Sequence, residues 1–80
     1  MTKVIEAVHE IVTQGKVPAK DIAKAVDKKY STLLRETNPC DTGAKLGVET
    51  LMGIIQATGD ARPLELMARE LGYQLLPAKK

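Results

Sequence analysis

Apolar residues recur along the chain at helical spacing, in segments separated by glycine, proline and short polar stretches. The first segment carries Val4, Val8, Ile11 and Val12, which fall at i, i+4, i+7 and i+8 and therefore share one helix face. Gly15 follows as the expected helix stop. The pattern predicts a first helix that buries this valine and isoleucine stripe.

A second helix is predicted with Pro18 in its first turn, because proline suits that position. Its buried face would consist of Ile22, Ala23 and Val26. The charged residues 27–29 then form a turn.

The third helix is predicted from Tyr30 to Thr37, with Leu33 and part of Tyr30 or Leu34 buried. Asn38 precedes Pro39, and a residue before proline is disfavoured in helical conformation, so the helix should end there.

Two further helices follow a loop at residues 40–43. The fourth is expected to end at Thr58–Gly59, and the fifth begins after Asp60, carries Pro63 early and ends at Gly72. Their expected apolar faces comprise Val48, Leu51, Met52, Ile55, Leu64, Met67 and Leu71. Strand-like alternation of useful length is missing from the sequence, so the predicted fold class is all-α, with five helices in one domain of residues 1–80.

Charge is unevenly distributed. The chain of 80 residues has a formal net charge of only +2, yet residues 16–35 contain six lysines and arginines against two aspartates. A basic segment on a nearly neutral body is typical of a phosphate-binding face, and it is equally compatible with a solvated helix surface.

The second and third predicted helices match a helix-turn-helix spanning about residues 18–38. Such a unit needs a small residue where the helices cross, a tight turn and apolar residues that lock the pair. Ala23 and Leu33 meet these needs, and Asp27 stands at the turn, where aspartate tolerates left-handed backbone better than most residues. Lys28 and Glu36 depart from the pattern, because both stand where apolar residues are usual. Two registers stay open, one of which uses Tyr30 as the core plug.

In this geometry the third helix would present its solvent-facing residues to the major groove. Arg35 suits guanine, Ser31 and Thr32 can reach phosphates or base edges, and the lysines suit phosphates. The candidate DNA-binding residues are Lys20, Lys24, Lys28, Lys29, Tyr30, Ser31, Thr32 and Arg35.

The residues also resemble a known family, the CII-type regulatory proteins of temperate phages and prophages, across about residues 8–77. The resemblance is carried by the ranges 30–39 and 44–48 with Asp41 between them, and by 58–60, 63–65 and 67–69. Cys40 stands where the family commonly has tyrosine. The resemblance implies a lambda-repressor-like helical fold and a helix-turn-helix transcription factor of the lysis–lysogeny decision.

Other chemistry finds little support in the sequence. His9 and Cys40 have no ligand-spaced companions, and the glycines form no phosphate-cradling loop, so we expect no metal, no cofactor, no small-molecule substrate and no enzymatic activity. Only Tyr30 and Tyr73 are aromatic, which favours duplex DNA over stacked single strands. With neither a signal peptide nor a long apolar run, the expected location is the cytoplasm of a bacterial host.

Self-association is expected because a single small domain contacts few base pairs. The fifth helix and the apolar tail within residues 44–77, with Leu66, Tyr73, Leu75 and Leu76, could form a homodimer or a higher homo-oligomer, or Leu75 and Leu76 could cap the monomer core. The alternative function is a helical protein-interaction module, such as an antitoxin-like partner, that does not touch DNA.

Overall fold

The computed structural model describes residues 2–41, 43–76 and 78, and in these residues it contains five helices and no strand. The helices are α1 (Thr2–Gln14), α2 (Ala19–Ala25), α3 (Tyr30–Thr37), α4 (Val48–Thr58) and α5 (Arg62–Glu70). The all-α prediction is confirmed, and the predicted bounds of α3 and the predicted end of α4 coincide with the structure.

The core forms around α1, which packs against α2, α3 and α5, while α2 also contacts α3 and α4. The predicted stripe of α1 is fully buried. The buried apolar residues are Val4, Val8, Ile11, Val12, Ile22, Ala23, Leu33 and Ile54. Because each fully buried Val, Leu or Ile side chain contributes about 1.5–3 kcal/mol, this small set supplies much of the stability of the fold.

The helix ends follow from local chemistry. α1 ends at Gln14, and the Gly15 N–H donates to the Ile11 carbonyl at 3.2 Å. A Cβ at Gly15 would collide with that carbonyl oxygen, so glycine is the residue that fits. Pro18 is the N-cap of α2, so the helix begins one residue later than predicted, and the Pro18 carbonyl accepts from the N–H groups of Asp21 and Ile22.

The predicted apolar face of α4 is wrong in part. Val48 is 75% exposed and Met52 is also exposed, whereas Ile54, which was not predicted, is completely buried. α4 carries apolar residues around most of its circumference, so periodicity alone does not select a face. The contact with α2 selects it, since Gly53 approaches Val26 so closely that a Cβ would lie 2.7 Å from Val26 Cγ1.

α5 is tied to α1 through charge and ends in a glycine turn. Arg62 Nη1 lies 3.4 Å from Glu10 Oε1, and Nη2 lies 3.0 Å from Asp60 Oδ2. After α5, Gly72 has φ +83° and the Tyr73 N–H donates to the Ala68 carbonyl at 2.7 Å, the bond of a Schellman motif. The predicted stop at Gly72 is therefore confirmed.

None of the leucines, methionines and tyrosines in α5 and the segment after it is fully buried. Leu64 and Leu71, which were expected on the buried face, are exposed, and Met67 and Leu66 are half-buried. Tyr73, Leu75 and Leu76 are exposed as well, so the suggestion that Leu75 and Leu76 cap the monomer core is wrong.

Candidate nucleic-acid interface

The turn between α2 and α3 is built around one left-handed residue. Asp27 has φ 55°, its N–H donates to the Lys24 carbonyl at 3.2 Å, and the Lys28 N–H donates to the Ala23 carbonyl at 2.9 Å. These two bonds form a Schellman motif with aspartate at the position that glycine usually takes. The prediction that Asp27 adopts left-handed backbone at the turn is confirmed, and Lys29 then caps α3.

Apolar side chains hold α2 and α3 together from the core side. Ile22, Ala23 and Leu33 are buried, as predicted, whereas Val26 is only half-buried and packs against the core. Thr37 is also fully buried, and its hydroxyl donates to the Leu33 carbonyl at 2.9 Å. The buried side of α3 is thus fixed by Leu33 and Thr37, and the opposite side is left to solvent.

The two residues that depart from the helix-turn-helix pattern contact each other. Lys28 Nζ donates to Glu36 Oε2 at 3.1 Å and lies 3.1 Å from Oε1. Their side chains are only 29% and 15% exposed, respectively. The ion pair fills the place of the expected apolar contact, and Tyr30, which is 45% exposed, does not act as the core plug.

Most of the predicted site residues lie on the surface. Six are exposed, namely Lys20, Lys24, Lys29, Tyr30, Ser31 and Arg35. Lys28 and Thr32 are half-buried. We call the six exposed residues the basic surface.

Several contacts bring parts of the basic surface together across the two helices. Lys20 Nζ lies 5.9 Å from the centroid of the Tyr30 ring, which joins the beginning of α2 to the beginning of α3 in a cation–π contact. Lys24 and Lys29 both line a shallow depression of about 400 Å³ beside the turn, with Ala23 forming part of its wall. Ser31 and Arg35 are one helical turn apart on the exposed side of α3.

Arg35 has a partner that sequence reasoning did not assign. Its Nε donates to Asp41 Oδ2 at 3.2 Å, and Asp41 Oδ1 accepts the Gly43 N–H at 2.9 Å. The hydrogen bond from Arg35, reinforced by the Gly43 N–H, lowers the pKa of the Asp41 carboxyl below its ordinary value. The only signal in the sequence is an acid six residues after the arginine, beyond the Asn38–Pro39 turn.

The remaining candidate chemistry stays dispersed. Within residues 2–41, 43–76 and 78, no three His, Cys, Asp or Glu side chains approach closely enough to hold a metal ion. Cys40 is exposed in the loop after α3. None of the helices described by the structure is long and apolar enough to cross a membrane.

An all-α chain with an exposed basic helix pair fits the regulatory proteins that the sequence resembles. The family model for phage regulatory protein CII (CP76) matches residues 3–80. The chain therefore belongs to the CII family of phage regulatory proteins. Neither the comparison with curated proteins nor the comparison with solved structures found a match.

Proposed function

We propose that this phage regulator binds duplex DNA sequence-specifically through a helix-turn-helix formed by α2, the turn at residues 26–29 and α3, and that it acts in the lysis–lysogeny decision. The observation that carries the proposal is the basic surface. Except for Lys29, which lies in the turn, its residues project from the same two helices whose opposite sides are locked into the core by Ile22 and Leu33. A rigid helix with a polar, positively charged outer side is what major-groove binding requires.

The members of the basic surface differ in the DNA groups that they suit. Lys20, Lys24 and Lys29 carry compact charges on flexible stems and would neutralise phosphates, which gives affinity without sequence preference. Ser31 and Arg35 share the exposed side of α3 and would approach base edges, with Tyr30 at the beginning of the helix.

The two half-buried candidates, Lys28 and Thr32, have smaller parts in the proposal. Lys28 is held by Glu36, so we assign it to the turn rather than to the DNA. Thr32 retains enough exposure to contact a neighbouring phosphate.

The proposed DNA-bound form is a homodimer. The short segment 71–76 exposes four large apolar side chains, those of Leu71, Tyr73, Leu75 and Leu76. Exposed apolar side chains that lie close together favour association with another protein. Two copies related by a two-fold axis would place two α3 helices on two half-sites, about one turn of DNA apart. Truncation after Gly72 should convert a dimer to a monomer in sedimentation equilibrium, and an unchanged mass would eliminate this interface.

Selection from a randomised pool of duplex DNA tests the proposed function. The full chain should enrich a defined sequence made of two related half-sites, and the enriched duplex should bind much more tightly than a shuffled one. Failure to enrich any sequence, together with no binding at low salt, would contradict DNA binding and favour the protein-interaction module.

A further inference from the structure

Among the described residues, the guanidinium of Arg35 is held through a single nitrogen, Nε. Nε bonds Asp41 Oδ2 at 3.2 Å, and among the described residues no hydrogen bond involves Nη1 or Nη2. The side chain is 66% exposed. Since a guanidinium has five N–H donors, one on Nε and four on the outer nitrogens, the outer edge keeps its full donor capacity.

The carboxylate that holds Arg35 is itself fixed by the loop. Its second oxygen accepts the Gly43 N–H at 2.9 Å, and the Asp41 N–H donates to the Asn38 carbonyl at 3.1 Å. The Asn38 side chain in turn accepts the Cys40 N–H at 2.9 Å. The loop therefore fixes the position of the carboxylate, whose Oδ1 is bonded to the backbone while Oδ2 faces the guanidinium.

We propose that Asp41 is a positioning residue that presents Nη1 and Nη2 of Arg35 to O6 and N7 of one guanine in the major groove. The inference rests on the proposed DNA-binding function and names the base that α3 recognises. An arginine ordered before binding loses less side-chain entropy when it reaches the base. A bidentate arginine–guanine contact is the commonest specific contact in the major groove.

Asp41 should also keep Arg35 from serving as a phosphate contact. Its negative charge beside the guanidinium weakens attraction to the DNA backbone, which is independent of sequence. The residue therefore has two effects of opposite sign: it lowers affinity for any duplex and raises discrimination for guanine. A residue with a purely structural role would not produce this combination.

The test uses the duplex selected by the wild-type chain, its single-base-pair variants and a shuffled duplex. Arg35→Ala should lower discrimination at one G·C pair in each half-site by about tenfold. Asp41→Asn should lower discrimination at the same pair severalfold and strengthen binding to the shuffled duplex. In the Arg35→Ala background, Asp41→Asn should no longer change discrimination, because its effect passes through the arginine.

Matched variants separate this role from charge and folding. Asp21→Asn removes the same charge from the exposed surface of α2 and should leave guanine discrimination unchanged. Arg35→Lys leaves the carboxylate of Asp41 in place but replaces the planar fork with a single ammonium, so it should lose the discrimination while retaining general affinity.

Two results would overturn the inference. One is equal strengthening of binding to every duplex by Asp41→Asn with guanine discrimination intact. The other is full discrimination by Arg35→Lys, which keeps the test decisive even if Asp41→Asn is poorly folded. Both differ from failure of the proposed function, in which the wild-type chain selects no duplex at all.

Discussion

Lys28 and Glu36 form an ion pair that connects the turn after α2 to the second half of α3. The ammonium of Lys28 lies 3.1 Å from both carboxylate oxygens of Glu36, and both side chains are largely shielded from solvent. Glu36 follows Lys28 by eight positions, so the ion pair links the turn directly to the far end of α3. The connection stands where helix-turn-helix proteins usually place an apolar contact.

Replacing both residues of the pair by leucine should destabilise the fold less than replacing either one alone. Lys28→Leu leaves the shielded Glu36 carboxylate without its cation, and Glu36→Leu leaves the Lys28 ammonium without its anion. Each substitution should therefore lower the free energy of unfolding by about 1 kcal/mol. The double variant Lys28→Leu/Glu36→Leu should recover to within about 0.5 kcal/mol of wild type. Urea unfolding of the four proteins measures the coupling, and strictly additive losses would show that the pair contributes nothing.

Glycine and alanine should have opposite effects on stability at Asp27, which has left-handed backbone, and at Asp21, which is helical. At Asp27, where φ is 55°, glycine should be more stable than alanine by about 1 kcal/mol, because a Cβ is strained there. At Asp21, inside α2, alanine should be more stable than glycine by a similar amount, about 1 kcal/mol. Thermal unfolding of the four variants tests the reversal. The same order at both sites would contradict the turn geometry.

The close approach of α4 to α2 makes a third prediction. Alanine at position 53 would place its Cβ 2.7 Å from Val26 Cγ1, and the stiff valine cannot easily yield, so Gly53→Ala should destabilise the fold by about 1–3 kcal/mol. In a Val26→Ala background the same substitution should become neutral or stabilising, since alanine exceeds glycine in helix propensity by about 1 kcal/mol. Chemical unfolding measures the effect of Gly53→Ala in the wild-type and Val26→Ala backgrounds. An equal loss of stability in both backgrounds would rule out this contact.

Much of the fold could be predicted because its signals are local. The apolar residues of α1 lie on a single face of the helix. Pro39 ends α3 because it disfavours helical backbone at Asn38, and Gly72 ends α5 in a left-handed turn. The buried face of α4 could not be predicted in the same way. Val48 and Ile54 are both apolar, and the approach of Gly53 to Val26 at the end of α2 places Ile54, not Val48, in the core.

The candidate site was predictable as a set of exposed residues and not as a set of contacts. Helical spacing and charge were enough to propose the basic surface. The pairings of Lys28 with Glu36 and of Arg35 with Asp41 depend on how the backbone turns, and residue spacing does not encode that path. Both pairings bear on the roles proposed for these residues, since Lys28 bonds Glu36 and Arg35 bonds Asp41.

DNA binding by the surface of α2 and α3 can be measured by fluorescence anisotropy of labelled duplex DNA at about 50 and 200 mM salt. Affinity that depends on phosphate contacts falls steeply over this range. Wild type is compared with Lys29→Ala/Arg35→Ala and with the control Lys3→Ala/Arg69→Ala, which removes the same charges from the exposed surfaces of α1 and α5. We expect salt-sensitive binding that the first double variant loses and the control retains. Equal binding by all three proteins, or none by wild type at low salt, would contradict a DNA-binding surface on α2 and α3.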